Sequence, residues 1–406
     1  MQPLKIAIVV HGRFHALDLA RELIRQGADV SVLTNYPKRI VERFGVPANQ
    51  VRSCVRHGVL SRVVHNWGGR RVRGLLEPSL HRWFSRWASS RLCGLDLHAI
   101  HSFSGVSEEI LNRFPNGRPL RSLVRGSAHI LAQARLLSTE QDRCRVNVER
   151  PSDWMIAREL REYGLADLVI VLSSFAAKTF LDEGFPQTRL RLLPLGSDVS
   201  QFRPDPTVVR ERCRRVLRRE PLRVLTVGSF SFQKGMYDLA HIAERLHRSF
   251  RFRFVGDCPP ETRELRSRCR GKIEFVSRQP QSVLARQYRE DDLFLFPTIQ
   301  DGYAAVLAQA QASGLPILTT PNCAGPDLVR EGETGWVLPI RDPEAFIARL
   351  RWCDAHRESL ATMVRDSYHN FRPRDWSEVA GDLQQIYREA LASARAPSGG
   401  ARRALP

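Results

Sequence analysis

A polar loop between a buried strand and a helix carries residues that could do chemistry. The apolar run Leu293–Phe296 is typical of a buried strand, whereas residues 304–313 are good helix formers followed by a capping glycine, Gly314. Asp301 lies in the loop, and Gln309 lies about two turns into the helix, on the face that looks back over the loop. Because N–H groups at a helix N-terminus attract negative charge, this arrangement favours an anion such as a phosphate. An ordinary strand–loop–helix unit that binds nothing would have the same local pattern.

Lys234 is a second candidate, and it lies just before another predicted helix. A predicted strand over residues 223–228 leads into a polar segment that ends at Lys234 and Gly235. A lysine at the start of a helix opposes the helix dipole unless an anion is bound nearby. The sequence therefore predicts that Lys234 contacts an anion, as a compact positive charge suited to phosphate.

Strands and helices alternate along both halves of the chain, and they must position these loops. Near the beginning, a strand at Lys5–Val10, a helix over 16–26 and a strand at Asp29–Thr34 form a βαβ unit. A chain of 406 residues is too long for one core. We therefore predict an α/β protein with two Rossmann-like domains, divided in the Arg-rich and Pro-containing stretch near residues 196–220.

Composition and motifs narrow the class of protein. The 8 cysteines form no Cys-x-x-Cys pair, so neither a zinc site nor a disulfide framework is indicated. The first loop holds one glycine, Gly12, which disfavours a redox dinucleotide. With no apolar window of about 18 residues and no signal-peptide pattern, the chain is expected to be cytoplasmic. The net charge of +19 implies an anionic partner, but no nucleic-acid-binding motif accompanies it.

The segment around Asp301 resembles the signature of the retaining glycosyltransferases of family 4, which have the GT-B fold of two Rossmann-like domains facing across a cleft. The family pattern is Glu-Gly-Phe-Gly, four residues, a second Glu, and then Ala-x-Ala-x-Gly-x-Pro. Asp301, Gly302 and Tyr303 stand for the first Glu, Gly and Phe. Gln309 stands for the second Glu, which would accept hydrogen bonds from the ribose, and Ala304 replaces a glycine whose amide would meet the sugar.

Other segments are similar to the same family in the expected order. The family carries Gly-Arg, four residues and Lys-Gly at the start of its second domain, where the arginine and lysine grip the donor diphosphate. Lys234 matches the lysine, whereas Ser229 replaces the arginine. The resemblance also implies that Ser277, or its neighbours Val276 and Arg278, contacts the base of the nucleotide.

The resemblance assigns residues of the first domain as well. Gly12 matches the loop that approaches the donor or the acceptor. His11, Arg13 and His15 beside it are candidate acceptor contacts, with a capping or surface role as the alternative. A family histidine often reaches the donor sugar or its leaving phosphate, and His129 matches it by position, with His101 second.

These matches imply an enzyme that moves a sugar, with retention, from a nucleotide-diphosphate sugar to a carbohydrate or lipid-linked acceptor such as a surface polysaccharide or glycolipid precursor. His129, Lys234 and Asp301 would be catalytic. Neither a metal nor a cofactor is expected, since the nucleotide sugar is a substrate and no metal-ligand cluster is recognisable in the sequence.

The implied domain organisation has four parts. Residues 1–200 would bind the acceptor and residues 201–375 the nucleotide sugar, while residues 376–392 would form a terminal helix that packs back on the first domain. Residues 393–406, rich in Ala, Arg, Gly and Pro, are predicted to be disordered.

Two other functional classes stay open at this point. Ser229, Ala304 and Gln309 each weaken a contact typical of the family, so the chain could be a nucleotide-sugar-binding relative with a scaffold role and little turnover. The interpretation as a nucleic-acid-binding protein rests on the net charge alone and is disfavoured.

Residues 53–92 combine many arginines with tryptophans. Leu80, Trp83, Phe84 and Trp87 share one face of a predicted helix, and Pro78 suits its first turn. This helix either packs on the first sheet or presents a peripheral face to an anionic membrane surface, and both hold if its edge is exposed.

Overall fold

The computed structural model describes residues 2–67, 69–114 and 118–393. Within these ranges the chain forms two parallel sheets, each flanked by helices. This architecture confirms the predicted α/β fold with two Rossmann-like domains. The predicted tail begins at Ser393, which ends the last helix, and residues 394–406 lie outside the described part.

The first domain is built on a parallel sheet that has seven strands in the described residues. These are β1 (Lys5–Val10), β2 (Asp29–Thr34), β3 (Val51–Ser53), β4 (Ala99–Phe103), β5 (Leu120–Arg125), β6 (Leu168–Val171) and β7 (Leu190–Leu192). Their order is β3-β2-β1-β4-β5-β6-β7, so β1 lies at the centre. The helices are α1 (Ala16–Arg25), α2 (Lys38–Glu42), α3 (Val55–Trp67), α4 (Arg70–Leu92), α5 (Glu108–Arg113), α6 (Ile130–Cys144), α7 (Asp153–Leu165) and α8 (Ser174–Asp182).

The second domain repeats this plan with a sheet that has six strands in the described ranges. These are β8 (Leu222–Ser229), β9 (Phe250–Asp257), β10 (Ile273–Val276), β11 (Leu293–Phe296), β12 (Ile317–Thr319) and β13 (Gly335–Val337), in the order β10-β9-β8-β11-β12-β13. The helices are α9 (Pro206–Leu217), α10 (Met236–Leu246), α11 (Arg263–Arg268), α12 (Gln281–Glu290), α13 (Ala305–Ala312), α14 (Gly325–Leu328), α15 (Pro343–Ala355), α16 (Arg357–Asn370) and α17 (Trp376–Ser393).

Burial on both faces explains why the central strands are uninterrupted apolar runs. Side chains alternate across β1, so Ile6 and Ile8 pack with α1 and α17, whereas Ala7 and Val9 pack with α4. In the second domain, β8 and β11 divide their side chains between two clusters in the same way. The loops that carry Asp301 and Lys234 leave the carboxyl ends of β11 and β8, which are neighbours in the sheet.

The chain passes between the domains twice, and the two passages lie side by side. The Ser197 N–H donates to the Arg374 carbonyl at 2.9 Å, and Gly196 lies against the backbone of Asp375 and Trp376, where a Cβ would come within 2.9 Å. After the second passage, α17 packs on α1, and Leu383 and Tyr387 join the core of the first domain. The last helix thus belongs in space to the domain that begins the chain.

Helix α4 begins earlier than expected from Pro78. It starts at Arg70 and contains Pro78 in its interior rather than in its first turn. Proline there leaves the carbonyl of Gly74 without its helical donor. Gly74 is exposed and has no neighbour near its missing side chain, so water can satisfy that carbonyl.

Candidate active site

Close packing between two loops brings Lys234 beside Asp301. Gly235 has φ +72°, and a Cβ on it would come within 1.7 Å of the Pro297 carbonyl oxygen. The Ile299 N–H donates to the Gln233 carbonyl at 3.0 Å, which ties the second loop to the first. Only glycine fits this left-handed, crowded position, so the Lys-Gly pair is needed for the approach of the two loops.

The Asp301 carboxylate accepts hydrogen bonds from three donors. It accepts a hydrogen bond from the Lys234 ammonium, and its Oδ1 accepts from the backbone N–H groups of Tyr303 at 3.1 Å and Ala304 at 3.0 Å. Burial favours a raised pKa for Asp301, but Lys234 and the two N–H groups hold that pKa below its usual value. Asp301 is therefore ionised at neutral pH and caps the entry to α13.

The contact with Asp301 changes the interpretation of Lys234, which the sequence analysis had based on the helix dipole. The sequence argument required an anion near Lys234, and the structure supplies one from the chain itself. Asp301 thus occupies, with its own carboxylate, the kind of site that phosphate prefers at a helix N-terminus. The carboxylate that the resemblance implies to be catalytic is therefore engaged within the protein.

Backbone geometry marks the two residues next to Asp301. Ala304 has φ +66° and ψ +67°, a left-handed conformation that costs a non-glycine residue roughly 1 kcal/mol. Gly302 faces the first domain, where a Cβ would come within 2.0 Å of the Gly126 carbonyl oxygen. At the position where the family has glycine, Ala304 thus adopts a conformation that glycine would take without this cost. Gly302 lets the two domains touch beside the site.

Tyr303 joins the domains on the other side of this loop. Its ring is buried, and its hydroxyl donates to the Leu195 carbonyl at 3.1 Å, in the passage between the domains. Burial raises the pKa of Tyr303 to about 12, so it remains a neutral donor. Tyr303 lines the cleft while it braces the domain boundary.

Gln309 lies on the cleft side of α13, as its helical spacing predicts. Its Oε1 accepts a hydrogen bond at 3.1 Å from the hydroxyl of Tyr288, a residue of α12 whose side chain is fully buried. The amide oxygen that the resemblance directs toward a ribose already accepts from one donor, and its second lone pair and the Nε2 group are left for a ligand.

These residues face a cavity of about 920 Å³ between the domains. That volume lies at the upper end of the range for small-molecule sites. The second-domain wall includes Lys234, Asp301 and residues 303–306, and Gln309 lies deeper along α13. The site is therefore an interdomain cleft at the carboxyl ends of β8 and β11, where open α/β sheets bind ligands.

The first-domain wall of this cavity is basic. The side chains that line it include four arginines and one carboxylate: Arg13, Arg21, Arg25, Arg43 and Asp18. Asp18 pairs with Arg21 at 3.0 Å, and Glu22 pairs with Arg21 at 2.7 Å and with Arg25 at 3.1 Å. Arg43 makes no ion pair within the described chain, so the arginines outnumber the carboxylates beside them. The wall opposite Lys234 thus carries net positive charge, which suits a ligand with a negative group.

A second cavity of about 270 Å³ lies in the first domain and shares Phe14 with the cleft. His11, His81 and Phe103 line it. Burial lowers the pKa of His11 to about 3, so its imidazole is neutral. Of the candidate acceptor contacts, His11 faces this small cavity, whereas Arg13 and His15 face the cleft.

Phe14 is a site residue that the sequence reasoning missed. Its ring is exposed although it is large and apolar, its φ is +40°, and it lies between the two cavities. A strained, exposed aromatic residue in a cleft is suited to stack on a sugar face. Its position directly after Gly12-Arg13 in the first loop is the signal that could have identified it.

Five predicted site residues do not line the interdomain cavity, and one of them is Gly302, which faces Gly126 instead. Ser229 ends β8 and Ser277 is an exposed residue after β10. Gly12 donates from its N–H to Asn35 Oδ1 at 2.8 Å and supports the first loop from behind. The roles assigned to these residues by resemblance stay predictions.

His129 is the last of these five residues, and it does not line the cleft. Its ring is packed against Tyr163 and Phe180, and its Nδ1 accepts from the Leu131 N–H at the start of α6. Burial lowers the pKa of His129 to about 4. His101 is also buried, with its Nδ1 2.6 Å from the Tyr387 hydroxyl. Position after a strand therefore did not distinguish a ligand-facing histidine from a capping one.

Metal ions and membrane spans require features of their own, which can be compared with the described residues. No group of three or more His, Cys, Asp or Glu side chains that could hold a metal ion occurs in residues 2–67, 69–114 and 118–393. No helix of the same part of the chain is long and apolar enough to cross a membrane.

Two Rossmann-like domains that face across a ligand-sized cleft, with a terminal helix returning to the first, define the GT-B class of fold. The family model described as Glycosyltransferase Family 4 matches residues 13–201, and the one described as Glycosyl transferases group 1 matches residues 221–353. The chain therefore belongs to the family 4, or group 1, glycosyltransferases.

Among proteins of similar sequence, the D-inositol 3-phosphate glycosyltransferase of Corynebacterium efficiens is 26% identical over 402 residues, which cover 93% of this chain and 89% of that protein. The putative colanic acid biosynthesis glycosyltransferase WcaL of Escherichia coli K12 is 25% identical over 238 residues, or 55% of each chain. The match therefore spans about half the length of WcaL.

Solved structures share the fold across almost the whole chain. The sucrose-phosphate synthase of Thermosynechococcus elongatus superposes with a TM-score of 0.72 at 18% identity and covers 96% of this chain and 100% of that one. Anabaena HepE in complex with UDP has a TM-score of 0.66 at 14% identity, with coverage of 95% and 100%. At these identities the likeness establishes the fold alone.

Proposed function

We propose that the protein transfers a sugar, with retention of configuration, from a nucleotide-diphosphate sugar to an acceptor in the interdomain cleft. The observation that carries the proposal is the convergence of Lys234, Asp301 and the N-terminus of α13 on one side of that cleft. HepE, a protein of the same fold, is described in complex with UDP-glucose, which supports a nucleotide sugar as donor. Retention and independence of metal are inferred from the family.

In the proposed reaction, the bond between the sugar carbon and the diphosphate oxygen breaks, and its electron pair leaves with the diphosphate. The acceptor hydroxyl forms the new bond to that carbon and gives its proton to the departing phosphate. The Lys234 ammonium and the N–H groups that open α13 stabilise the leaving charge, while the walls of the cleft orient the two reactants. Asp301 then shares Lys234 with the diphosphate and positions its ammonium group.

The acceptor would bind the first domain, near Phe14 and the basic wall. WcaL is named for colanic acid biosynthesis, which supports a carbohydrate or lipid-linked precursor of a surface polysaccharide. The excess of arginine over carboxylate in that wall favours an acceptor that carries an acidic group. We place this reaction in the cytoplasm.

Titration calorimetry with UDP, GDP and ADP tests the donor class. We expect one of the three to bind more tightly than the other two, in a single site per chain. Lys178→Ala, the matched control for Lys234→Ala, removes an exposed lysine on α8. It is expected to leave nucleotide binding unchanged. Absence of binding by all three nucleotides would contradict the proposed function.

A second candidate is a nucleotide-sugar-binding protein with little turnover. Asp301 already neutralises Lys234, and Ser229 leaves the diphosphate site without the arginine of the family, which favours this reading. Incubation with a panel of donors separates the two candidates. Release of nucleotide diphosphate, even by slow hydrolysis, supports the enzyme, whereas tight binding without release on any acceptor supports the scaffold.

Gln309→Ala is expected to weaken nucleotide binding several-fold, and Gln309→Glu is expected to be tolerated. Alanine removes the amide and leaves the buried Tyr288 hydroxyl without its acceptor, at a cost of about 1–3 kcal/mol. Glutamate keeps an acceptor for both Tyr288 and a ribose hydroxyl. Calorimetry and thermal melts of both variants measure these effects. Gln385→Ala, which changes an exposed glutamine of α17, is the matched control. Unchanged donor affinity in Gln309→Ala would mean that this side chain does not contact the nucleotide.

A further inference from the structure

We propose that α3 and the first half of α4 form a docking surface for an anionic lipid bilayer. Fifteen large apolar side chains are exposed in the described chain, and nine of them lie between residues 55 and 83. Trp67 is 87% exposed and Leu75 is 78% exposed. We call these nine residues the apolar face: Val55, Val59, Leu60, Val63, Trp67, Val72, Leu75, Leu76 and Trp83.

Helix α3 is attached to the first domain by its opposite side. His57, Gly58 and Val64 are its buried residues, and a Cβ on Gly58 would come within 2.1 Å of the Asn35 carbonyl oxygen. This contact fixes the helix against the domain and turns Val59 and Val63 outward. The apolar face is therefore not the core-facing stripe of an amphipathic helix, and nothing in the described chain covers it.

The charge around the apolar face identifies its partner. Helices α3 and α4 contain eight arginines and a single acidic residue, Glu77. Arg56 and Arg71 are exposed among the apolar residues. An apolar surface that also carries arginine and tryptophan fits the boundary between anionic headgroups and acyl chains, where the aromatic ring enters and the guanidinium groups bind phosphate.

This surface differs from the one expected from the sequence. Trp87 is half-buried against Phe84, and Phe84 is fully buried in the core, so the second half of α4 packs on the sheet as the core interpretation requires. Trp83 is exposed only in part. The exposed apolar residues come mostly from α3 and from residues 72–76, which lie in the same 53–92 region but before the predicted face at Leu80–Trp87.

The apolar face adjoins the first-domain cavity. The His11 ring contacts His57 of α3 at 5.2 Å and His81 of α4 at 5.7 Å between ring centroids, and both His11 and His81 line that cavity. If the acceptor is lipid-linked, which rests on the proposed function, docking would bring its headgroup to this side of the cleft while its chains stay in the bilayer.

Co-sedimentation with vesicles tests the docking surface. We expect binding to vesicles of 70% phosphatidylcholine and 30% phosphatidylglycerol at low salt, with at least tenfold weaker binding to pure phosphatidylcholine. The variant Trp67→Ser/Leu75→Ser is expected to reduce binding to the anionic vesicles at least tenfold. The matched control is Leu181→Ser/Leu217→Ser, which changes two exposed leucines elsewhere and is expected to bind as the native chain does.

A second variant, Arg56→Glu/Arg71→Glu, removes positive charge without touching the apolar residues. It is expected to abolish binding to the anionic vesicles and to leave the melting temperature unchanged, because both side chains are exposed. Nucleotide binding measured by calorimetry should be the same in all variants, so a failure of docking is distinct from a failure of the proposed function. Absence of vesicle binding at low salt, binding that survives both double variants, or a dimer in light scattering that Trp67→Ser/Leu75→Ser dissolves would overturn the proposal.

Discussion

Lys234→Ala is expected to slow the release of nucleotide diphosphate from the donor by roughly 100- to 1,000-fold, the cost of removing one preorganised charge from a transition state. Lys234 is the sole cationic side chain among the described residues that line the second-domain wall of the cleft. With Ser229 in place of the family arginine, no other cationic side chain lines that wall in the described part of the chain. The measurement is the initial rate of diphosphate release at saturating donor, compared between the native chain and the variant.

The same substitution also removes a partner from Asp301, and this effect needs its own control. An Asp301 carboxylate left with two N–H donors costs up to about 3 kcal/mol of stability. Lys234→Ala/Asp301→Ala removes both charges and is expected to recover part of the lost stability without recovering the rate. Lys178→Ala, with an exposed pair to Asp182, should change neither quantity. Native rates in a folded Lys234→Ala protein would remove Lys234 from the catalytic machinery.

Gly302→Ala is expected to reduce the transfer rate by at least tenfold while both domains stay folded. The added methyl group would lie 2.0 Å from the Gly126 carbonyl oxygen and 2.8 Å from the Ser127 Cα, so one of the two domains must move. A displacement of about 1 Å between reacting groups is enough to cost about 100-fold in rate. Steady-state kinetics with a soluble acceptor, together with a thermal melt, measures the two consequences separately.

Gly381→Ala on α17 is the matched control for this prediction. Its position is helical and has no neighbour within 4 Å, so alanine is expected to keep full activity and to stabilise the protein by up to about 1 kcal/mol. If Gly302→Ala were as active as Gly381→Ala, the contact between Gly302 and Gly126 would not set the geometry of the site.

Local sequence patterns predicted the sheets because their causes are local. The apolar runs of β1, β8 and β11 are buried on both faces, and helical spacing placed Gln309 on the cleft side of α13. What escaped prediction depends on contacts between distant segments. The sequence does not reveal that Asp301 holds Lys234, that Gly302 meets Gly126, or that aromatic rings from α7 and α8 enclose His129.

Whether the helices of the 53–92 region face the core or a membrane also depends on contacts between distant segments. Phe84 and Trp83 lie next to each other in the sequence, yet Phe84 is buried and Trp83 is partly exposed. The apolar residues of α3 have the composition of a core helix, and only the attachment of Gly58 to Asn35 decides that they face outward. Periodicity indicates that a helix has an apolar side, but not what covers it.

The return of α17 to the first domain has a consequence for the order of events during synthesis. Val379, Leu383 and Tyr387 complete a core whose strands end with β7 at Leu192. A ribosome adding about 5–20 residues per second needs roughly 10–40 s to travel from that strand to α17. During this interval the second domain can fold as a unit, whereas the side of α1 that α17 later covers stays exposed. The first half of the polypeptide is therefore the last to complete its core.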